Sequence, residues 1–160
     1  MTDLGTLGGS NSEAHGINSA GQVAGSSSIS GHTHAFVYSG GYMNDLGTLG
    51  GLNSFADDIN DAGQVVGYSN TKSGVIHRFL YSNGVMTDLD ELIPSGWTFD
   101  GGMAINNAGQ IVATGWNGSN GSALHALLLS PVPEPQTWAM LLAGLILLGY
   151  RLRHSAASMS

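Results

Sequence analysis

Three histidines stand at matched places in this 160-residue chain, His34, His77 and His125, each opening an apolar run. Imidazoles carried at equivalent points of a repeat could converge about a symmetry axis and hold a divalent metal. The competing reading is that each one bonds the backbone within its own unit, because a residue that recurs with a repeat usually serves the repeat. That structural role is the expected one, and no metal ligand is assigned. Asp57, Asp58, Asn60 and Asp61 form a second oxygen-rich cluster that suggests calcium. Their spacing does not reproduce the alternating ligands and glycine of a calcium loop, so turn capping and a solvated face are expected instead. No G-x-S-x-G, H-E-x-x-H or phosphate-binding glycine loop occurs, and no Ser, His and Asp arrangement stands apart from the repeats. The expectation is a non-enzymatic protein with no catalytic residue and no cofactor. Asn117-Gly118-Ser119 and Asn120-Gly121-Ser122 match the glycosylation sequon, but a loop rich in Gly, Ser and Asn produces such matches by composition.

The elements that carry these residues repeat. DLGTLGG stands at residues 3–9 and again at 45–51, and a worn copy begins at Asp88. Ile17-Asn18, Ile59-Asn60 and Ile105-Asn106 align beneath it, as do Gly21-Gln22, Gly63-Gln64 and Gly109-Gln110. The spacing of 42 to 43 residues, stretched in the third copy, marks supersecondary units that must stack to bury their apolar faces. The units run from about 3–44, 45–87 and 88–130, ahead of a different segment at 131–160.

Within the second unit, Phe55, Ala56 and Ile59 precede Asn60-Asp61-Ala62-Gly63, and Gln64 to Tyr68 resumes a β-prone run. This predicts a hairpin whose Asn caps the turn and whose Gly63 takes positive φ. A polar loop is expected at Ser69 to Gly74. His77 to Tyr81, with counterparts at 34–38 and 125–129, is apolar enough for a strand covered on both faces. Asn83-Gly84 and Gly40-Gly41 read as two-residue hairpin turns. Four short antiparallel strands per unit give an all-β, propeller-like fold, a partial or open β-propeller of about a dozen strands, plus one C-terminal hydrophobic helix. In DLGTLGG, Leu46 and Leu49 should pack between units and Asp45 should accept turn amides. Pro94, Gly96 and Trp97 lengthen the third crossing like a terminal cap, and a fourth strand after Leu129 is missing.

Composition narrows the function. Residues 1–130 hold ten Asp or Glu against Lys72 and Arg78, so nucleic acid is repelled. The absence of cysteine excludes disulfides and thiolate metal sites and leaves the redox compartment open. No basic, apolar leader precedes the first unit. Met1-Thr2-Asp3-Leu4 matches Met86-Thr87-Asp88-Leu89, which suggests a chain that begins within a repeat.

DLGTLGG, the hairpin sequence and His34-Ala35-Phe36 together resemble the HAF family of bacterial extracellular repeats over residues 1–130, with Arg78 in place of the family's Ala and Leu127 in place of its Phe. The resemblance implies a secreted, β-rich repeat protein and carries no catalytic residues. The tail adds a second resemblance. Pro131-Val132-Pro133-Glu134-Pro135 is extended and stiff, residues 138–150 (WAMLLAGLILLGY) carry no charge, and Arg151 and Arg153 follow. As a helix those 13 residues span about 20 Å, short of roughly 30 Å of hydrocarbon, with interfacial aromatics and snorkelling arginines making up length. This order resembles the PEP-CTERM sorting signal of Gram-negative bacteria. It implies recognition of Val132, Pro133, Glu134 and Pro135 by an exosortase, with Arg151 and Arg153 as the stop-transfer end. Export, retention in the inner membrane, then release to the cell surface or extracellular matrix is the implied course, and extracellular polysaccharide is a further implied partner. The alternative is a secreted module that binds a carbohydrate or a metal ion at its axis, with Trp97 and Trp116 converging on one face.

Overall fold

The computed structural model describes residues 1–118 and 123–131. The chain divides into two units, Met1–Ser130 and Pro131–Ser160. The second, with the expected helix and the sorting and stop-transfer residues, lies outside the described residues apart from Pro131.

The first unit is all-β. β1 (Ser12–Ile17), β2 (Val23–Ile29), β3 (His32–Ser39) and β4 (Tyr42–Asp45) form one sheet, and β5 (Gly50–Ile59), β6 (Val65–Thr71), β7 (Ile76–Ser82) and β8 (Val85–Asp88) form the next. β9 (Trp97–Ile105), β10 (Ile111–Asn117) and β11 (Leu124–Leu129) make a three-stranded sheet, so eleven strands stand among the described residues. Every neighbour pair is antiparallel and joined in chain order.

Turn chemistry sets this order locally. In the 60–64 turn the Asn60 amide donates to Gln64 O and the Gly63 amide to Asn60 O, while Asn60 Oδ1 accepts the Ala62 and Gln64 amides. Gly63 takes φ +73°, where a β-branched residue is strained. Gly63→Val is therefore expected to cost about 1–2 kcal/mol more than Gly118→Val, whose site is not at positive φ and gives an added Cβ only ordinary contact among the described residues. Equal shifts in melting temperature for the two variants would contradict this turn geometry. Asn83-Gly84 and Gly40-Gly41 have positive φ at both residues, the requirement of the tight hairpin turn that matches strand twist.

Side-chain alternation then builds two cores. Ala24, Ala35, Leu46, Ala56, Ile59, Val65 and Phe79 are buried between the first and second sheets. Val66, Leu89, Phe99, Met103, Ile105, Ile111 and Ala113 form the core between the second and third. Val65 and Val66 point to opposite faces of β6 and enter different cores, so the middle sheet is covered on both sides. Each fully buried Val or Phe contributes about 1.5–3 kcal/mol, and that burial requires a neighbouring sheet.

DLGTLGG is the crossing between sheets. Asp45 Oδ1 accepts the Gly47 amide at 2.8 Å, and Thr48 Oγ1 donates to Gly51 O at 2.9 Å. Leu46 is buried in the core and Leu49 packs against it. The first copy repeats these bonds through Asp3, Gly5, Thr6 and Gly9.

Two expectations are corrected. Ser69 to Gly74 is not all loop: β6 runs on to Thr71, and Ser69 is fully buried because its hydroxyl accepts the Leu49 amide and donates to Asn53 O. The strand covered on both faces holds for β7 but not for β11, where Leu124 and Leu128 are exposed because no described sheet lies beyond the third.

Candidate functional site

The recurring histidines engage carboxylates, not backbone. Nδ1 of His34 lies 2.9 Å from both carboxylate oxygens of Asp45, and Nδ1 of His77 lies 2.6 Å from Asp88 Oδ2. A carboxylate only accepts, so Nδ1 carries the proton in each pair. The pairing joins the third strand of a sheet to the end of its fourth and orients the aspartate that caps the crossing. In the third unit, which has three strands among the described residues, His125 instead packs edge-on against Trp97 at 5.7 Å between ring centres. The three histidines therefore serve their own sheets, and among the described residues they form no common metal cluster. The sequence carried a signal for this pairing, the shared 11-residue separation of His34 from Asp45 and of His77 from Asp88.

His77, Asp88 and Asp90 do bring one potential ligand atom each within 4.8 Å of one another. Internal bonds use these groups. Asp88 Oδ1 accepts the Asp90 amide at 3.0 Å, and Asp90 Oδ2 accepts the Arg78 amide. Asp90 thus replaces Ser54, whose hydroxyl accepts the Ala35 amide at the matching place in the previous unit. An open groove of about 500 Å³ runs past His77, Asp88, Glu91 and Lys72, carrying both signs of charge.

The cluster Asp57, Asp58, Asn60 and Asp61 does not turn inward on a cation. Each side chain reaches a neighbouring unit. Asp57 Oδ2 accepts the Met103 amide at 3.0 Å, and Asp58 Oδ2 accepts the Ile105 amide at 2.9 Å. Asn60 Nδ2 donates to Asn106 O at 3.0 Å, just as Asn18 Nδ2 donates to Asn60 O at 3.0 Å. Asp61 accepts the Ser19 amide and hydroxyl from one side and Asn107 Nδ2 from the other. The expected solvated face is thus a seam of inter-sheet ties, legible only once the units are stacked.

These ties move two carboxyl groups in opposite directions. The Ser19 amide and hydroxyl hold Asp61 below the ordinary carboxylate range. Burial pushes Asp57 up, outweighing the Met103 amide and the charges of His15 and Arg78 that pull it down. A carboxyl raised on folding contributes stability that is fully present below its ordinary value of 3.8 and is lost as pH climbs through the raised one. Asp57→Asn keeps an oxygen for the Met103 amide and removes the buried charge. Its melting temperature is expected to exceed the parent's at about pH 7 and to lose that advantage at about pH 3, as thermal unfolding at both values would show.

Trp97 and Trp116 do not converge. Trp97 pairs with Asn117 and Trp116 with Thr98, and successive residues alternate faces, so the two indoles leave opposite sides of the third sheet. Trp97 lines an apolar groove of about 240 Å³ with Pro94, Phe99 and Leu127, while Trp116 is 39% exposed. Asn117 ends β10, and Asn120 lies outside the described residues, as do Val132 to Pro135, Arg151 and Arg153. No helix among the described residues is long and apolar enough to cross a membrane. Comparison with family models, with curated proteins and with solved structures finds no match for this chain.

Proposed function

We propose that this chain is a non-enzymatic, exported cell-surface or extracellular-matrix repeat protein. Its sheets form an open, propeller-like arc, and its tail holds it in the inner membrane until an exosortase trims it. The observation that carries the reading is the order of the tail. A proline-rich recognition stretch at 132–135 precedes an uncharged apolar run at 138–150 and the basic residues Arg151 and Arg153. A helix through that run, lengthened by its flanks and by snorkelling arginines, anchors the chain with the repeats outside and the arginines inside. The propeller-like arrangement is supported by the up-and-down strand order within each sheet and by cores shared between consecutive sheets. A surface role is supported by how polar side chains are used: the recurring Asn18 and Asn60 tie sheet to sheet, as Asp58 does, which suits a durable array.

The test expresses the chain behind a working signal peptide in hosts with and without an exosortase. With the enzyme, residues 1–130 are released lacking the apolar run; without it, the full chain stays in the membrane fraction. Changing Pro133, Glu134 and Pro135 together to Ala leaves the apolar run intact and is expected to abolish trimming while retaining the anchor. Trimming of that variant at the parent's rate would overturn the sorting role.

A further inference from the structure

The row of sheets has two unlike ends that complement each other. At one end β11 is the edge strand among the described residues, where β4 and β8 complete the other two sheets. The outer face there exposes Val112 at 51% and Leu128 at 63%, whereas their counterparts Val66 and Leu80 are covered by the third sheet. Asn106 Nδ2 bonds Gln110 in its own turn, as Asn18 and Asn60 bond Gln22 and Gln64, but it meets no acceptor in a further unit among the described residues, where theirs reach Asn60 O and Asn106 O. At the other end, Met1-Thr2-Asp3-Leu4 repeats Met86-Thr87-Asp88-Leu89 letter for letter, yet forms no strand. Ile17 is 71% exposed there, although Ile59 and Ile105 are buried.

We propose that a second copy of this chain continues the row. Met1 to Asp3 of one copy adds to β11 of another as its fourth strand, and the first sheet of the incoming copy stacks on the outer face of the third. The repeat sets the register. Met86, Thr87 and Asp88 pair with Tyr81, Leu80 and Phe79, so Met1, Thr2 and Asp3 pair with Leu129, Leu128 and Leu127. The Leu4 amide then donates to Ala126 O, as those of Leu46 and Leu89 donate to Ala35 O and Arg78 O.

Charge fits this register. Asp3 meets His125 and forms the third His–Asp pair, matching His34 with Asp45 and His77 with Asp88. Its Oδ1 already accepts the Gly5 amide at 2.9 Å, as Asp45 accepts that of Gly47, so the carboxylate is turned as in the formed pairs. Apolar fit follows the same logic. Met1 takes the place of Met86 and enters the groove beside Trp97, Phe99 and Leu129, and Leu4, like Leu46, goes between the stacked sheets. Among the described residues no element covers these faces: the first and third sheets both pack on the second, and Ile17, Val112 and Leu128 are exposed. The contact joins unlike surfaces, so it propagates into a linear, concentration-dependent chain.

The parent has no cysteine, which makes cross-linking selective. Full-length Thr2→Cys and full-length Leu128→Cys are purified separately in detergent, mixed and oxidised. Directly opposed strand residues have Cα atoms about 4.5–5.5 Å apart, within disulfide range. A heterodimer of twice the 16.4 kDa chain is expected. Thr2→Cys with Leu129→Cys, whose side chains leave opposite faces, is expected to give about tenfold less, and adding Asp3→Asn to the productive pair is expected to cut its yield about tenfold. Equal yields from Leu128→Cys and Leu129→Cys would overturn the register. A Thr2→Cys/Leu128→Cys double variant that cross-links only within the monomer at every concentration would show self-closure and overturn the second copy. Sedimentation of the parent against Asp3→Asn, with no cysteine introduced, decides the matter if a cysteine variant misfolds: the parent is expected to self-associate, and a parent that stays monomeric overturns the proposal.

Discussion

Asn60→Ala is expected to destabilise the array by about 3–4 kcal/mol, a fall of roughly 10 °C in melting temperature, whereas Asn106→Ala costs about 1 kcal/mol. Asn60 is 3% exposed and makes four side-chain hydrogen bonds. Its Nδ2 donates to Gln64 Oε1 and Asn106 O, and its Oδ1 accepts the Ala62 and Gln64 amides. Truncation strands those partners at a buried junction, and each such loss costs about 0.5–1.5 kcal/mol with further desolvation for any group left unpaired. Asn106 makes the same local bonds but is exposed, so water replaces what alanine removes. Asn18, which also donates across a sheet boundary, should behave like Asn60. Thermal unfolding of the three variants checks this. Similar losses at positions 60 and 106 would show that the cap alone matters and that the tie between sheets contributes little.

The second large effect is steric. Gly67→Ala is expected to cost about 3 kcal/mol or more and to broaden or abolish cooperative unfolding, because a Cβ there would overlap the Phe55 carbonyl oxygen and lie 2.9 Å from Ala56 Cα. Both obstacles are backbone. Gly67 pairs with Ala56 beside the register shift at Ala56 to Asp58, so relief requires parting β5 from β6. Parting them disturbs Ile59 and Val65 in one core and Val66 in the other. At Gly118 the nearest neighbour of an added Cβ among the described residues is a Trp116 ring carbon at 3.9 Å, so Gly118→Ala is expected to be near neutral. Circular dichroism melts of both variants in parallel decide the point, and a native-like Gly67→Ala melt would refute the close approach.

These effects differ in how far the sequence announces them. The turns at 60–63, 40–41 and 83–84 are legible because a turn is a local matter: Asn caps its own backbone and Gly tolerates positive φ, whatever surrounds them. The strands follow from alternation and from three spellings of one hairpin, and burial of Leu46 follows from an apolar residue set between Asp45 and Gly47 in the crossing. Sheet order follows as well, since short turns leave successive strands no partner but each other.

The partners of the polar side chains are another matter. Asp57 and Asp58 read as a solvated face because the donors they accept from, the Met103 and Ile105 amides, lie 46 and 47 residues away. His34 and His77 read as backbone-bonded, yet the carboxylates that hold them sit across a strand pair. Ser69 looks like loop and is buried because the preceding crossing lays the Leu49 amide over it. A hydrogen bond is decided by a few tenths of an ångström between groups that stacking alone brings together, and stacking depends on the summed fit of two cores. Local pattern therefore determines which strands and turns form, and the contact of sheet on sheet determines what each buried polar atom binds.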